Sequence, residues 1–191
     1  MRAIILAAGS GLRLGESTQD IPKTLVDVNG KSILERQISL LKEYGINEIF
    51  VVTGYKREKH VLKNIEYIFN PRYSETEQLT SMMVARGKIF GDVLIIFEDI
   101  VFDSDILQQV LASNDDITIP IDMDWEKSYE EEPNKPADKV LIKQKKIVQI
   151  SAKEISLESK NEVGEFLGII KLSIDGSRIL VKKYEELKKI S

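Results

Sequence analysis

A chain of 191 residues with 42% hydrophobic content is long enough to bury one substantial core, and it falls near the common size of a single domain. Its 31 acidic residues outnumber 27 basic ones, giving a net charge of -4, and no basic stripe is present, which argues against a nucleic-acid surface and for small-molecule partners. No cysteine is present, so disulfides and thiolate metal sites are excluded, and no apolar run is long enough to span a membrane. The opening residues lack a signal-peptide layout, because Ala3 to Ala8 is short and meets glycines at once, so a cytoplasmic protein is expected. Any metal would be held by oxygen ligands or by the lone His60, and carboxylates with phosphate oxygens suit Mg²⁺.

The first predicted element is a strand at Ala3-Ile4-Ile5-Leu6, a continuous apolar run of the kind that is buried on both faces. It empties into Ala7-Ala8-Gly9-Ser10-Gly11-Leu12-Arg13-Leu14, where small residues let backbone approach a ligand. Gly9 and Gly11 can turn consecutive N–H groups toward one point as an anion-binding concavity, and Arg13 adds a forked cation. Lys23, preceded by the φ-locked Pro22, supplies a second charge. Generic phosphate motifs fail here. The dinucleotide fingerprint misses by one residue, with Leu14 in place of its third glycine, and Gly30-Lys31-Ser32 lacks the first glycine of a P-loop, Leu25 standing there. Leu6 to Leu14 with Pro22-Lys23 instead resembles the L-A-A-G-x-G-x-R-L and P-K signature of the nucleotidylyltransferases that activate phosphorylated sugars and alcohols. That resemblance implies nucleotide contacts from Leu6, Ala7, Ala8, Gly9 and Gly11, and catalytic roles for Arg13 and Lys23.

Thr24 to Val28 reads as a short strand before a turn at Asn29-Gly30. Ser32 and Glu35 form a capping box for a helix to about Tyr44, with Ile33, Leu34, Ile38, Leu40 and Leu41 on one stripe and Gly45 ending it. Ile49 to Val52 is the next buried strand, so strand, helix and strand make a right-handed βαβ unit. Lys56 to His60 reads as a solvated helix start. His60 is either an exposed or satisfied helix residue or a catalytic one, and no cysteine, serine or metal cluster lies near it to favour the second. Tyr67 to Phe69 is a short strand stopped by Asn70-Pro71. A helix is predicted over about Glu77 to Phe90, with a Ser74–Glu77 capping box and Leu79, Met82, Met83 and Ala85 facing the core. Asn70, Pro71, Tyr73, Thr76 and Ser81 match in part the N-P-x-Y-x-x-T-N-x-x-x-S-L segment of phosphocholine and phosphonate cytidylyltransferases. Nucleotide contacts from Thr76 and Ser81, and a preference for CTP, are what this resemblance implies.

Val93 to Phe97 is a strand ending at Glu98-Asp99. Ligands of open α/β sheets gather outside the carboxyl ends of strands, so Asp99 would face the same crevice as Gly9 and Lys23. The alternative is a turn aspartate, although Asp103 is the better cap for a helix from Ser104 to Leu111. In the resembled family a G-D stands here and its aspartate holds magnesium, which implies Asp99; Glu98 replaces the glycine and would crowd the nucleotide or join the metal. Ile117 to Ile121 is a further strand, followed by Asp122-Met123-Asp124, a metal motif or a solvated loop. A loop covers Tyr129 to Pro136, and Lys139–Ile142 with Ile147–Ile150 form a hairpin. Glu162 to Leu172 reads as a loop feeding a strand, and its Gly164-Glu165-Phe166-Leu167-Gly168 resembles the acceptor-binding G-E-F-x-G of these transferases, implying acceptor contacts from Glu165 and Gly168. A basic amphipathic helix from Gly176, with Ile179, Leu180, Tyr184 and Leu187 inward, follows.

The expected fold is α/β: a single Rossmann-like (GT-A-like) three-layer domain over residues 1–191, with a mixed, mainly parallel central sheet and a small hairpin insertion at about 122–160. The resemblance implies Mg²⁺-dependent transfer of a nucleoside monophosphate from CTP or another nucleoside triphosphate to a small phosphorylated or phosphonylated acceptor. It also implies a late W-x-E-I-D-like segment completing the metal site, which is not found before Ser191. Glu165, Glu98 or Asp175 would then substitute, or one carboxylate would suffice with waters and phosphates. Two readings stay open: an active transferase, and a catalytically impaired nucleotide-binding or regulatory domain. Self-association into a homodimer is also left open.

Overall fold

Strand β1 (Arg2–Ala7) runs through the interior, with Ala3, Ile4 and Ile5 fully buried, as an apolar run flanked on both sides requires. The computed structural model describes residues 1–9, 20–76, 78–129, 138–144, 146–151 and 163–189. The chain divides into two compact units, residues 1–118 with 170–191, and residues 119–169. The expected hairpin insertion falls within the second.

In the first unit, Pro22 (φ -57°) opens a 3-10 turn at Lys23–Leu25, closed by Leu25 N–H on the Pro22 carbonyl at 2.9 Å. The predicted strand over Thr24–Val28 is therefore a turn followed by a two-residue β2 (Asp27–Val28), which pairs antiparallel with β3 (Lys31–Ser32). Helix α1 (Ile33–Glu43) has both halves of the capping box, Glu35 N–H on Ser32 Oγ and Ser32 N–H on the Glu35 carboxylate. Gly45, at φ +74°, ends it as expected. Its buried face is Ile33, Leu34, Gln37, Ile38 and Leu41, a stripe with one polar member.

β4 (Glu48–Thr53) pairs parallel with β1, Ile4 opposite Phe50 and Leu6 opposite Val52. The expected helix start at 56–60 is only a 3-10 turn, Arg57–Lys59, and His60 after it is buried. β5 (Glu66–Phe69) extends the sheet beside β4. The single helix expected to Phe90 is a seven-residue α2 (Gln78–Val84) and a 3-10 turn at Arg86–Lys88, which contains Gly87. Met82, Met83 and Ala85 are buried as predicted, whereas Leu79 is 53% exposed. Glu77, and with it the Ser74–Glu77 capping box, lies outside the described residues.

β6 (Val93–Phe97) pairs parallel with the other side of β1, and α3 (Ser104–Ala112) follows with Asp103 accepting from Asp105 and Ile106 N–H. The strand expected at Ile117–Ile121 is cut in two. β7 (Ile117–Thr118) belongs to the main sheet and β8 (Ile121–Asp122) to another, and Pro120, which has no N–H to give a ladder, stands between them.

The second unit takes β8, the hairpin β9 (Lys139–Lys143) and β10 (Lys146–Ser151), and β11 (Val163–Phe166) into an antiparallel sheet ordered β10-β9-β11-β8. Asp122 ends β8 and accepts on its Oδ1 from Asp124 N–H at 2.8 Å, and Asp124 pairs with Lys127 at 2.7 Å. Most of the loop expected at Tyr129–Pro136 lies outside the described residues.

β12 (Ile169–Leu172) completes the six-stranded main sheet, ordered β5-β4-β1-β6-β12-β7, mixed because β12 runs antiparallel to β7. Lys171, buried, donates to the Leu111 and Ser113 carbonyls at the end of α3, a cation on a helix C-terminus. α4 (Ile174–Lys188) starts earlier than predicted because Ser173 caps it through Asp175 and Gly176 N–H. Leu180, Val181 and Tyr184 pack on a core of Ile4, Leu6, Phe50, Val52, Met82, Met83 and Ile95, while Ile179 and Leu187 are 48% and 60% exposed. No helix among the described residues is long and apolar enough to cross a membrane.

Candidate active site

The chain passes from β1 to β4 and β5 on one side, then returns to β6 on the other, so the strand order reverses at β1. In an open α/β sheet the crevice outside the carboxyl ends at such a reversal is where ligands bind. Gly9 leaves β1 there and Glu98-Asp99 leave β6 there. Lys23 is brought to the same place by its 3-10 turn, its Nζ 2.6 Å from Asp99 Oδ2. The pair is partly open to solvent, with side chains 18% and 31% exposed.

Gly9 N–H donates to Glu98 Oε2 at 3.0 Å. A Cβ at position 9 would overlap Glu98 Oε1, so the carboxylate lies in the space the glycine leaves. Burial pushes the Glu98 carboxyl up to about 7; Asp99 adds to the rise, while the Gly9 N–H and Lys23 oppose it. The Glu98-Asp99 turn is itself pinned. Gln37 of α1, 1% exposed, donates from Nε2 to the Phe97 carbonyl at 3.0 Å and the Ile100 carbonyl at 2.9 Å, one on each side of the two acids.

On the β4 side, Tyr55 N–H donates to the Ala8 carbonyl at 3.2 Å, and Gly54 lies so close to Ala8 and Tyr73 that a Cβ would overlap both. Asn70, 1% exposed, donates from Nδ2 to Ser81 Oγ at 3.0 Å and to Thr76 Oγ1 at 3.3 Å, and its Oδ1 accepts from Arg72 N–H at 3.0 Å. The hydroxyls of Thr76 and Ser81 thus converge on one buried amide. Leu6, Ala7 and Ala8 are buried, leaving backbone rather than side chain for any ligand. Gly11 and Arg13 lie outside the described residues.

In the second unit, Glu165 of β11 stands between Asp122 of β8 and Lys139 of β9 in the ladder, and Gly168 takes φ +76° in the turn before β12. Asp175, at the start of α4, pairs with Arg178 at 2.9 Å. No group of three or more metal-ligating side chains occurs among the described residues. Mg²⁺ is commonly bound through one or two carboxylates with waters and substrate phosphates, and the adjacent Asp99 and Glu98 carboxylates meet that lesser requirement.

Residues 3–128 match the MobA-like NTP transferase domain. The chain belongs to that family. It is 30% identical over 203 aligned residues to the CTP:phosphoglutamine cytidylyltransferase of Campylobacter jejuni, covering 98% of this chain and 79% of that protein. A choline-phosphate cytidylyltransferase of Streptococcus pneumoniae is 37% identical over 106 residues, 53% of this chain and 46% of that protein, so under half of the relative is spanned there. The inositol-1-phosphate CTP transferase from T. maritima superposes with a TM-score of 0.72 at 20% identity over 93% of this chain and 72% of that one, a likeness of fold. The nucleotidylyltransferase resemblance carried by Leu6–Leu14 and Pro22-Lys23, and the mainly parallel Rossmann-like sheet it implied, are both met.

Three contacts of the site add to the sequence-based expectations. Gln37 is a polar residue on the buried stripe of α1, and its place between Ile33-Leu34 and Ile38-Leu41 was the available signal. His60, expected as an exposed or satisfied helix residue or a catalytic one, is buried, and its Nε2 lies 3.2 Å from the hydroxyl of Thr24, fully buried beside Lys23. Glu98 was expected to crowd the nucleotide or join the metal, and its contact with the Gly9 amide is the new feature.

Proposed function

We propose that the chain transfers a cytidine monophosphate group from CTP to a small phosphorylated or phosphonylated acceptor, releasing pyrophosphate. The carrying observation is the Lys23–Asp99 pair beside Gly9 at the point where the strand order reverses. The cytidylyltransferase names of the relatives support cytosine as the base and an acceptor such as phosphoglutamine or phosphocholine. Such an acceptor is already anionic at its attacking oxygen, so no general base is required. What the protein supplies is position and charge neutralisation for two polyanions. Lys23 leaves Asp99 for α-phosphate oxygens, and Gly9 N–H with Gly11 and Arg13 grips the triphosphate. Thr76 and Ser81 border the nucleoside, and Glu165 with Gly168 is assigned to the acceptor. Asp99, with or without Glu98, would hold Mg²⁺, which when bound neutralises phosphate charge. The reaction draws on the cytoplasmic triphosphate pool.

The test is pyrophosphate release with each of four nucleoside triphosphates against phosphoglutamine, phosphocholine, aminoethylphosphonate and sugar 1-phosphates, with Mg²⁺ and with chelator. Magnesium-dependent release that is strongest with CTP is expected. A second reading, a nucleotide-binding domain with impaired catalysis, is favoured by one contact, the Glu98 carboxylate on the Gly9 amide. CTP binding without release under any pairing would select it.

A further inference from the structure

The described anion-binding groups of the site are already matched to acids of the chain itself. Lys23 is paired with Asp99, and Gly9 N–H is taken by Glu98. The second contact is unlike an incidental one, because the carboxylate sits in the space a glycine leaves, where a phosphate oxygen would approach the amide. A carboxylate on a backbone N–H is a charge-assisted hydrogen bond, and a phosphate offers the same chemistry to the same donor. Both cannot hold it. Lys23 balances only one of the two acids when both are ionised.

We propose, on the nucleotide-binding reading of this site, that Glu98 is a resident stand-in for a phosphate, and that the triphosphate binds by displacing its carboxylate from the Gly9 amide. Glu98 therefore sets how strongly charged a ligand must be to enter. The backbone of the Glu98-Asp99 turn cannot retreat, since Gln37 fixes the carbonyls of Phe97 and Ile100 on either side. The side chain swings out alone while Asp99 keeps its place. Cytidine, which carries no phosphate, has nothing to gain from that movement.

The experiment measures dissociation constants of CTP, inorganic tripolyphosphate and cytidine, without divalent metal, for the wild-type chain, Glu98→Gly and Glu98→Gln, and follows the Gly9 amide resonance by NMR. Glu98→Gly should bind CTP and tripolyphosphate roughly tenfold or more tighter, the scale of one charge-assisted hydrogen bond together with one like charge removed. Glu98→Gln, with the same reach and no charge, should fall between, and cytidine should bind all three proteins alike. In the wild-type chain CTP should move the Gly9 amide, and Glu98→Gly should move it before any ligand is added. Wild-type binding of CTP with no gain in Glu98→Gly overturns the displacement while leaving nucleotide binding intact. Equal gains in both variants with an unmoved Gly9 amide overturn it in favour of charge alone. No binding of CTP or tripolyphosphate to any of the three removes the nucleotide reading and this inference together.

Discussion

The chain just past β1, at Ala8 and Gly9, has different chemistry on its two sides. Toward β4 the contacts are neutral: an amide on the Ala8 carbonyl, the bare Gly54 against Tyr73, and Asn70 binding two hydroxyls and an N–H. Toward β6 they are ionic: Lys23 on Asp99, and Glu98 on the Gly9 amide. A buried neutral network whose members are satisfied fixes a shape, because opening it leaves polar groups unpaired. A partly exposed ion pair gives up little when it separates, so its members are free to take new partners. The β4 side thus behaves as a mould and the β6 side as a set of exchangeable charges.

Breaking the charged side should give the largest effect. Lys23→Ala is expected to lower turnover about 10²–10³-fold, as loss of one electrostatic stabiliser does, while thermal stability moves by less than about 1 kcal/mol. Steady-state kinetics beside a melting curve checks both. Unchanged turnover would remove Lys23 from the chemistry and the distinction with it. Asn70→Ala should do the reverse. Three hydrogen bonds at about 1 kcal/mol each put the stability loss near 3 kcal/mol, and the KM for CTP should rise with little change in turnover. Loss of turnover as large as that of Lys23→Ala would show that the neutral side takes part in the chemistry.

Gln37→Leu sharpens the comparison, since this side chain is neutral yet positions the charged turn. About 2 kcal/mol of stability should go with its two hydrogen bonds, read from a urea midpoint. A fall in turnover should accompany it, and Gln37→Glu, which cannot donate to the carbonyls when ionised, should not restore the activity.

Those expectations also mark what the sequence made legible. β1, β4 and β6 could be read because strands buried on both faces are continuous apolar runs, and α1 because Ser32 and Glu35 bracket its start. Asp99 was expected from the end of a strand in an α/β sheet, and Lys23 from the Pro22-Lys23 pair. Gln37 is hard to read because a helix stripe shows in its apolar members, although its position alone puts it on the inner face. The passage of the chain from one sheet to another between β7 and β8 was visible only as Pro120, since Ile117-Thr118 and Ile121 have the same β-forming character on either side of it. Leu79, Ile179 and Leu187 are exposed, against expectation, for a related reason. Periodicity fixes which residues share a face, while the neighbours available to cover it decide how wide the buried stripe becomes.

His60 links the two sides and should give the smallest effect. It precedes β5 and reaches across to Thr24, the residue after Lys23, so the neutral side supports the turn that carries the exchangeable lysine. Burial lowers its pKa from 6.5, opposed by its backbone contact with Arg57 and the charge of Glu58; the Tyr67 ring, 5.9 Å away, is its aromatic neighbour. The folded protein therefore holds the imidazole neutral where the unfolded chain would take up a proton. The stability this represents is complete above pH 6.5 and is lost as the pH falls from there through the lowered native value. His60→Gln keeps a side-chain oxygen for the Thr24 hydroxyl and does not titrate. Melting temperatures of the two proteins between pH 7.5 and 5 should diverge, the wild type falling further on the acid side, because the carboxylates common to both cancel in the difference. Parallel curves would mean that the imidazole is as easily protonated in the folded protein as in the unfolded chain.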